Sequence, residues 1–290
     1  MASYFRPAAS QLGEALEALA LGVAEGRPRV VVAGATDHYP ARVGRAIDED
    51  VLDVSGLAGL RTIDKVNGGW WIGAGTTWTD LVERPLPACF DGLKRAARAV
   101  GGLQVQNRGT LAGNVCNASP AADGIPNLMA LQASVRLRSV RGERDVPVGE
   151  FVTGNRTTRR EPDELVTGLV VPDPAAAGHG LVATSTFRKL GARAYLVISI
   201  AMVAAVVVRD AQGRITSARL AVGACSPVAR RLPGLEAELA GRPLRPGVGG
   251  LVRAEHLAPL SPIDDVRGTA EYRRGAALVL VRRALEDLAT

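Results

Sequence analysis

The sequence predicts a mixed α+β protein in two unequal parts, the smaller beginning near residue 178. Three observations indicate this class. Short aliphatic runs typical of buried strands alternate with helical periodicity before residue 172. A segment rich in Pro, Ala and Gly at 172–180 is typical of a linker. After it, a long apolar run, a turn and a second apolar run predict a β-hairpin.

The elements of the first hundred residues follow from periodicity and capping signals. Residues 10–21 predict a helix capped by Ser10, because apolar residues recur at helical spacing from position 12. Aliphatic runs at 30–33 and 51–54 predict buried strands, and the first run ends in a loop of small residues. Residues 71–75 predict a strand entering a tight turn, after which Thr77 or Thr79 caps a helix.

The next segment, 101–122, is rich in Gly, Asn, Thr, Ser and Pro, and predicts a long irregular stretch with a binding role. Beyond it we predict a helix beginning at 126–131 and strands at 135–140 and 165–171. After the linker, a long strand at 195–208 turns at 210–213 and returns over 215–222. Helices are predicted at 232–239 and 272–288. The predicted domains are therefore 1–177 and 178–290.

Composition excludes several classes of protein. The net charge of +6 comes mainly from dispersed arginines without interleaved aromatics, which argues against nucleic-acid binding. The three cysteines form no CxxC pair, so we predict no metal or iron–sulfur site within this chain. An odd, sparse cysteine count suits a reducing cytoplasm. No signal peptide or membrane-spanning run is recognised, so we predict a soluble cytoplasmic protein.

Two loops combine small residues with hydroxyl and amide side chains, at 33–37 and 110–114. Successive exposed backbone amides in such a loop form an anion-binding concavity without Lys or Arg, and a diphosphate would suit it. Taken alone, each loop is more typical of a plain tight turn than of a diphosphate site. The chain has no G-x-G-x-x-G, so a Rossmann dinucleotide site is not indicated.

Taken together, six collinear segments are similar to the flavin subunits of molybdenum hydroxylases, the xanthine dehydrogenase and carbon monoxide dehydrogenase group. The resemblance runs from about residue 3 to residue 285. The segments are the loop after the first aliphatic strand, QVQNRGTLAGN at 104–114 with ASPAAD at 118–123, DELV at 163–166, FRKLG at 187–191, GRI and GACSP at 213–215 and 223–227, and DDVRGTAEYRR at 264–274.

This resemblance implies an FAD-binding domain of the vanillyl-alcohol-oxidase and p-cresol-methylhydroxylase type. That domain has two α+β halves, divided near residues 55–60, and a smaller C-terminal α+β domain follows it. The resemblance also implies site residues. Residues of the two loops would wrap the diphosphate, Ser119 and Asp123 would hold the ribityl or adenosine side, and Leu165 and Lys189 would lie near the isoalloxazine ring. The loop residues are Val32, Ala33, Gly34, Ala35, Thr36, Asp37, Thr110, Leu111, Ala112, Gly113 and Asn114.

Two positions depart from the family pattern, since its usual paired glycines are here Gly34-Ala35 and Ala112-Gly113. A Cβ at Ala35 and Ala112 predicts negative φ there, and so a slightly different backbone course. Asp123 could instead cap a helix, and Lys189 could be a solvated surface residue.

The resemblance implies an electron-transfer subunit with no catalytic residue of its own. Electrons would pass from a molybdenum cofactor and [2Fe–2S] clusters in partner chains to FAD here, and then to NAD⁺, oxygen or another acceptor. The expected assembly is a dimer of heterotrimers of flavin, iron–sulfur and molybdenum subunits. Two alternatives remain open: a free-standing flavin oxidoreductase on the same fold, and a flavin-free assembly subunit.

Overall fold

The computed structural model describes residues 2–176 and 178–290. Its α-helices are α1 (Leu12–Ala24), α2 (Trp78–Glu83), α3 (Asp91–Ala99), α4 (Leu103–Arg108), α5 (Leu111–Asn117), α6 (Gly124–Ala130), α7 (Val148–Phe151), α8 (Pro233–Leu239) and α9 (Ala270–Ala289). Its strands are β1 (Tyr4–Phe5), β2 (Val30–Val32), β3 (Val51–Asp53), β4 (Ile63–Val66), β5 (Gly69–Gly73), β6 (Ser134–Ser139), β7 (Gly142–Pro147), β8 (Val152–Gly154), β9 (Thr157–Thr158), β10 (Leu165–Pro172), β11 (Val182–Leu190), β12 (Ala201–Arg209), β13 (Ile215–Gly223) and β14 (Arg230–Arg231).

The strands form three main sheets and one small hairpin. The first sheet is parallel, in the order β1-β3-β2, and its strands are joined by α1 and a longer loop. The second is antiparallel, in the order β4-β5-β10-β6-β7. The third is antiparallel, in the order β11-β12-β13-β14, and β8 pairs with β9 alone. The parallel sheet ends at Asp53 and the second begins at Ile63, on either side of the division predicted near 55–60.

The strand β12 separates two apolar cores, which explains its unbroken run of aliphatic residues. On one face Met202, Ala204 and Val206 pack into the large core built by α2, α3, α5, α6, α7 and the second sheet. On the other face Ala201, Val203, Ala205 and Val207 pack with α8 and α9. A strand buried on both faces needs apolar residues at every position rather than at alternate ones.

Most predicted elements are present, with shifted ends. The predicted strands at 30–33, 51–54, 71–75, 135–140, 165–171 and 215–222 correspond to β2, β3, β5, β6, β10 and β13. Thr77 caps α2 through a hydrogen bond from the Asp80 amide. The predicted Ser10 cap is wrong, because α1 begins at Leu12 and its N-cap, Gln11, makes no side-chain capping bond.

Two predicted segments are corrected. The stretch 101–122, predicted to be irregular, contains the short helices α4 and α5. Helix α4 has no buried residue, and its Leu103 is 70% exposed, so it carries no apolar stripe that periodicity could detect. The strand predicted at 195–208 begins only at Ala201, since Leu196 has a left-handed φ of 52° that cannot continue a strand. Helix α3 was missed, although Leu93, Ala96 and Ala97 show helical spacing.

Part of the linker prediction lies outside the described residues, because Ala177 is not described. The boundary at 177/178 therefore stays a prediction. Among the described residues, no helix is both long and apolar enough to span a bilayer.

The buried Arg273 joins the C-terminal helix to the residue before β12, the residue after β13 and the loop that precedes α9. Its guanidinium donates to the carbonyls of Ile200 and Ala224 at 2.7 and 2.9 Å, and to Asp265 at 2.6 Å.

Replacing Arg273 with methionine keeps the apolar part of the side chain but leaves buried carbonyls unpaired. We expect Arg273→Met to lower the free energy of unfolding by about 2–4 kcal/mol, measured by urea denaturation. The exposed Arg283 on the same helix is the control, and equal losses at both positions would contradict this role.

Candidate functional site

The two loops predicted from the sequence meet in the structure. A Cβ added at Gly34 would lie 1.9 Å from the carbonyl oxygen of Arg108 and 2.9 Å from the Cα of Gly109. A Cβ at Gly109 would in turn lie 3.2 Å from the hydroxyl oxygen of Thr36. The first loop therefore crosses the start of the second at backbone contact, and glycine at position 34 is what permits this approach.

The first loop presents a row of free amides. Among the described residues, no acceptor is found for the backbone N–H groups of residues 33–38. The loop leaves the carboxyl end of the parallel strand β2 and is half-buried over most of its length. Amides that are shielded by protein and have no partner are the arrangement expected of an anion-binding concavity.

The backbone at Ala35 corrects the prediction of negative φ. Its φ is 53°, so the loop keeps a left-handed course at a residue that carries a Cβ. This conformation costs a non-glycine residue roughly 1–2 kcal/mol, which the rest of the fold must offset. A left-handed residue inside such a loop helps to turn successive amides toward one centre. Ala112, by contrast, lies in the first turn of α5, where alanine is the most favourable residue.

Most backbone amides of the second loop already have a hydrogen-bond acceptor within the protein, so fewer of them are free to bind an anion. Thr110 caps α5, its side chain accepting from the Gly113 amide at 2.9 Å and its carbonyl from the Asn114 amide at 3.0 Å. The Leu111 amide donates to Thr76. In the described part of the chain, the amides of Thr110 and Ala112 are the ones in this loop that have no acceptor.

Side chains near the loops keep unused donors. The hydroxyl of Thr110 accepts one bond and can still donate. The Asn114 side-chain oxygen accepts from the Gly124 amide at 3.1 Å, which leaves its NH₂ group to donate. The Thr36 hydroxyl has no hydrogen bond to the described residues. These three donors and the free amides fit a diphosphate, which has only acceptor atoms.

Arg156 is an unpredicted residue at this site. Its guanidinium donates to Asp37 at 2.5 Å and to the side-chain oxygen of Asn117, so it connects the end of the first loop with the end of α5. No motif marks this residue, because the contacts join positions 119 and 39 residues apart.

A buried ion pair lies beyond the loops. The Lys189 ammonium donates to Asp123 at 2.6 Å and to the Ala99 carbonyl at 3.3 Å, and Ser199 donates to the other Asp123 oxygen at 2.6 Å. Burial raises the pKa of the Asp123 carboxyl, and the adjacent Lys189 charge opposes that shift. Lys189 is only 12% exposed, so it is not a solvated surface residue. Asp123 precedes α6 but makes no side-chain capping bond.

The side chains of three predicted site residues are almost entirely buried. Leu165 is 2% exposed and packs in the N-terminal core with Leu52 and Leu60. Its predicted place beside the ring stays a prediction. Val32 and Leu111 are likewise core residues. Ser119, half-buried, uses its hydroxyl oxygen to accept from the Ala121 amide at 3.3 Å.

Comparison with known proteins agrees with the geometry. Residues 1–174 match the family model of the FAD binding domain in molybdopterin dehydrogenase, and residues 185–288 match that of the CO dehydrogenase flavoprotein C-terminal domain. The chain is 30% identical to the nicotine 6-hydroxylase medium subunit of Paenarthrobacter nicotinovorans, over 89% of this chain and 88% of that protein. It is also 30% identical to the glyceraldehyde dehydrogenase medium chain of Sulfolobus acidocaldarius, over 99% and 98%.

A solved structure shares the whole fold. A chain of the carbon monoxide dehydrogenase from Hydrogenophaga pseudoflava that lacks the Mo-pyranopterin moiety of its molybdenum cofactor superposes with a TM-score of 0.85 at 28% identity. The match covers 99% of this chain and 96% of that one. The predicted fold class, an FAD-binding domain followed by a smaller α+β domain, is confirmed.

Neighbouring positions in the first loop should respond oppositely to substitution. Gly34→Ala forces a Cβ into the Arg108 carbonyl and must separate the loops, so we expect FAD binding to weaken by about tenfold or more. Ala35→Gly relieves a left-handed alanine, and we expect FAD binding to persist with unfolding free energy raised by up to about 1 kcal/mol. Flavin titration and urea denaturation of both variants test this, and equal FAD affinity in the two would show that the loop contact is unimportant.

Proposed function

We propose that this chain, which belongs to the family of FAD-binding medium subunits of molybdenum hydroxylases, passes electrons through FAD from iron–sulfur clusters of a partner chain to an acceptor. The observation that carries the proposal is the row of unpaired amides at 33–38, facing a second loop in backbone contact. The chain is thus an oxidoreductase subunit, and its own residues bind and orient the flavin.

The diphosphate of FAD would be held mainly by backbone groups. The amides of residues 33–38, with those of Thr110 and Ala112, supply donors, and Thr36, Thr110 and Asn114 add side-chain bonds. Backbone donors fixed by a folded loop need no reorganisation when an anion arrives. A diphosphate is therefore bound without a lysine or arginine directly on it.

Lys189 is proposed to lie at the ring end of the site. An ammonium group has three N–H donors, and Asp123 and Ala99 take two of them. The third is free to approach the flavin, where a positive charge stabilises the anionic reduced ring. Asp123 and Ser199 then keep the ammonium in place.

FAD, when bound, would supply the capacity to take up single electrons and release a pair. The three cysteine thiols are not proposed to act as nucleophiles in this step. Burial raises the pKa of Cys89 to about 12 and those of Cys116 and Cys225 to about 11, so each thiol stays protonated. Among the described residues, no three potential ligands come together at a metal site.

The remaining cofactors would belong to partner chains. We propose an iron–sulfur subunit carrying [2Fe–2S] clusters and a subunit carrying the molybdenum cofactor, in a dimer of heterotrimers in the cytoplasm. The acceptor would be NAD⁺, oxygen or another oxidant. Relatives named as medium subunits of a nicotine hydroxylase and a glyceraldehyde dehydrogenase support a multisubunit assembly.

Purified chain, alone and coexpressed with its candidate partner chains, tests the function. We expect a yellow protein whose flavin absorption is retained after gel filtration and which copurifies with an iron–sulfur and a molybdenum chain. Addition of the compound that the assembled complex hydroxylates should bleach the flavin absorption band. A colourless protein that added FAD does not shift would refute flavin binding. Turnover of an organic substrate by the isolated chain would favour a free-standing flavin oxidoreductase.

Loss of the Lys189 charge should make the bound flavin harder to reduce. We compare the Asp123→Asn, Lys189→Met double variant with Asp123→Asn alone, so that the two proteins differ only in the lysine charge. We expect the two-electron reduction potential to be lower in the double variant by about 30 mV or more, equivalent to ~1.4 kcal/mol. Lys65→Met, at an exposed strand position, is the control for loss of one lysine. Equal potentials in the double variant and in Asp123→Asn would place the ammonium away from the ring.

A further inference from the structure

Among the described residues, Arg156 is the one charged side chain whose backbone is left-handed. Its φ is 58°, in the turn between β8 and β9, and the other non-glycine residues with positive φ are Ala35, Ala118, Gln132, Leu196 and Ala224. A two-residue hairpin turn of this kind favours glycine, and an arginine there is strained. Strain of this type persists only where the surrounding structure enforces it, and it motivates a search for a function.

The strained turn brings Arg156 against both parts of the flavin site. Its amide donates to the carbonyl of Ala118, the left-handed residue that ends α5, at 2.9 Å. Its guanidinium then reaches Asp37 at 2.5 Å and the Asn117 side chain. Asp37 is the last residue of the first predicted loop, and Asn117 is the last residue of the helix that the second loop begins.

We propose that Arg156 is a positioning residue for the diphosphate site, which holds the end of the first loop onto α5. The proposal rests on flavin binding by the two loops. The contact of Gly34 with Arg108 fixes the beginning of the first loop, and Arg156 fixes its end. The unpaired amides of residues 34–37 lie at or between these two points, and their directions decide whether they converge on one anion.

Charge gives Arg156 a second task. The Asp37 carboxylate lies at the end of a loop that binds an anion, so it would repel a diphosphate if left uncompensated. Pairing with a guanidinium cancels that charge and directs it away from the ligand. A glycine would suit the turn better than arginine, but it could make neither bond.

Stability alone does not account for the contact. The side chains of Arg156 and Asp37 are 53% and 50% exposed, and exposed ion pairs contribute little to folding. A role confined to folding predicts that stability and FAD affinity fall together on substitution. A positioning role predicts that they separate, because removing the arginine also removes backbone strain.

The test is Arg156→Gly in the full chain, with two measurements. We expect the dissociation constant for FAD to rise about three- to tenfold. The thermal midpoint of the FAD-free protein should stay unchanged or rise by up to about 3 °C. Arg159→Gly is the matched control, since Arg159 is an exposed arginine of the same region whose partner, Glu150, lies outside the site.

The outcomes separate this proposal from flavin binding itself. Wild-type chain that binds no FAD overturns both. Wild-type binding with an unchanged dissociation constant in Arg156→Gly overturns the positioning role alone, as does a parallel fall in affinity and midpoint.

A second measurement tests the route of action. In an Asp37→Ala, Asn117→Ala background, Arg156→Gly should change FAD affinity no further, because the arginine acts through those two side chains. A further loss of affinity in that background would mean that the guanidinium touches the flavin directly, and the positioning role would be wrong.

Discussion

The close approach of Gly34 to the backbone at Arg108 and Gly109 is the constraint on which the functional site depends. It brings together the loop after the parallel strand β2 and the loop before α5, two segments about 75 positions apart in the sequence. No side-chain interaction can replace it, because the atoms in contact belong to the main chain. The relative placement of the two α+β halves is therefore fixed at the point where an anion would bind.

The two loops differ in how many of their backbone amides have hydrogen-bond partners. The second loop satisfies most of its amides through Thr110 and Thr76, so it behaves as a fixed wall. The first loop leaves its amides free and keeps a left-handed alanine rather than relaxing. Unpaired amides in a protected loop are costly in the absence of a ligand, and an anion relieves that cost. The proposed binding of an anion would therefore be coupled to the folding of this loop.

Much of the fold could be predicted from the sequence because its signals are local. Aliphatic runs located β2, β3 and β10, and the hairpin of β12 and β13 followed from its turn. The resemblance supplied the order of the loops and the residues Asp123 and Lys189, but their mutual ion pair depends on tertiary packing. Arg156 could not be predicted, since its partners are distant in the chain. The burial of Leu165 could not be predicted for a related reason, because its cluster includes α1 residues that sequence spacing does not relate to β10.

The position of β12 has a thermodynamic consequence for the whole chain. Its two faces pack into different apolar cores. One core is shared with the second sheet and its helices, and the other with α8 and α9. Melting either core would strip one face of the same strand and expose aliphatic side chains to water. We therefore expect the two cores to unfold cooperatively, as one unit. A chain cut at the linker would expose one apolar face of β12 or the side chains that pack on it, and such a surface promotes association.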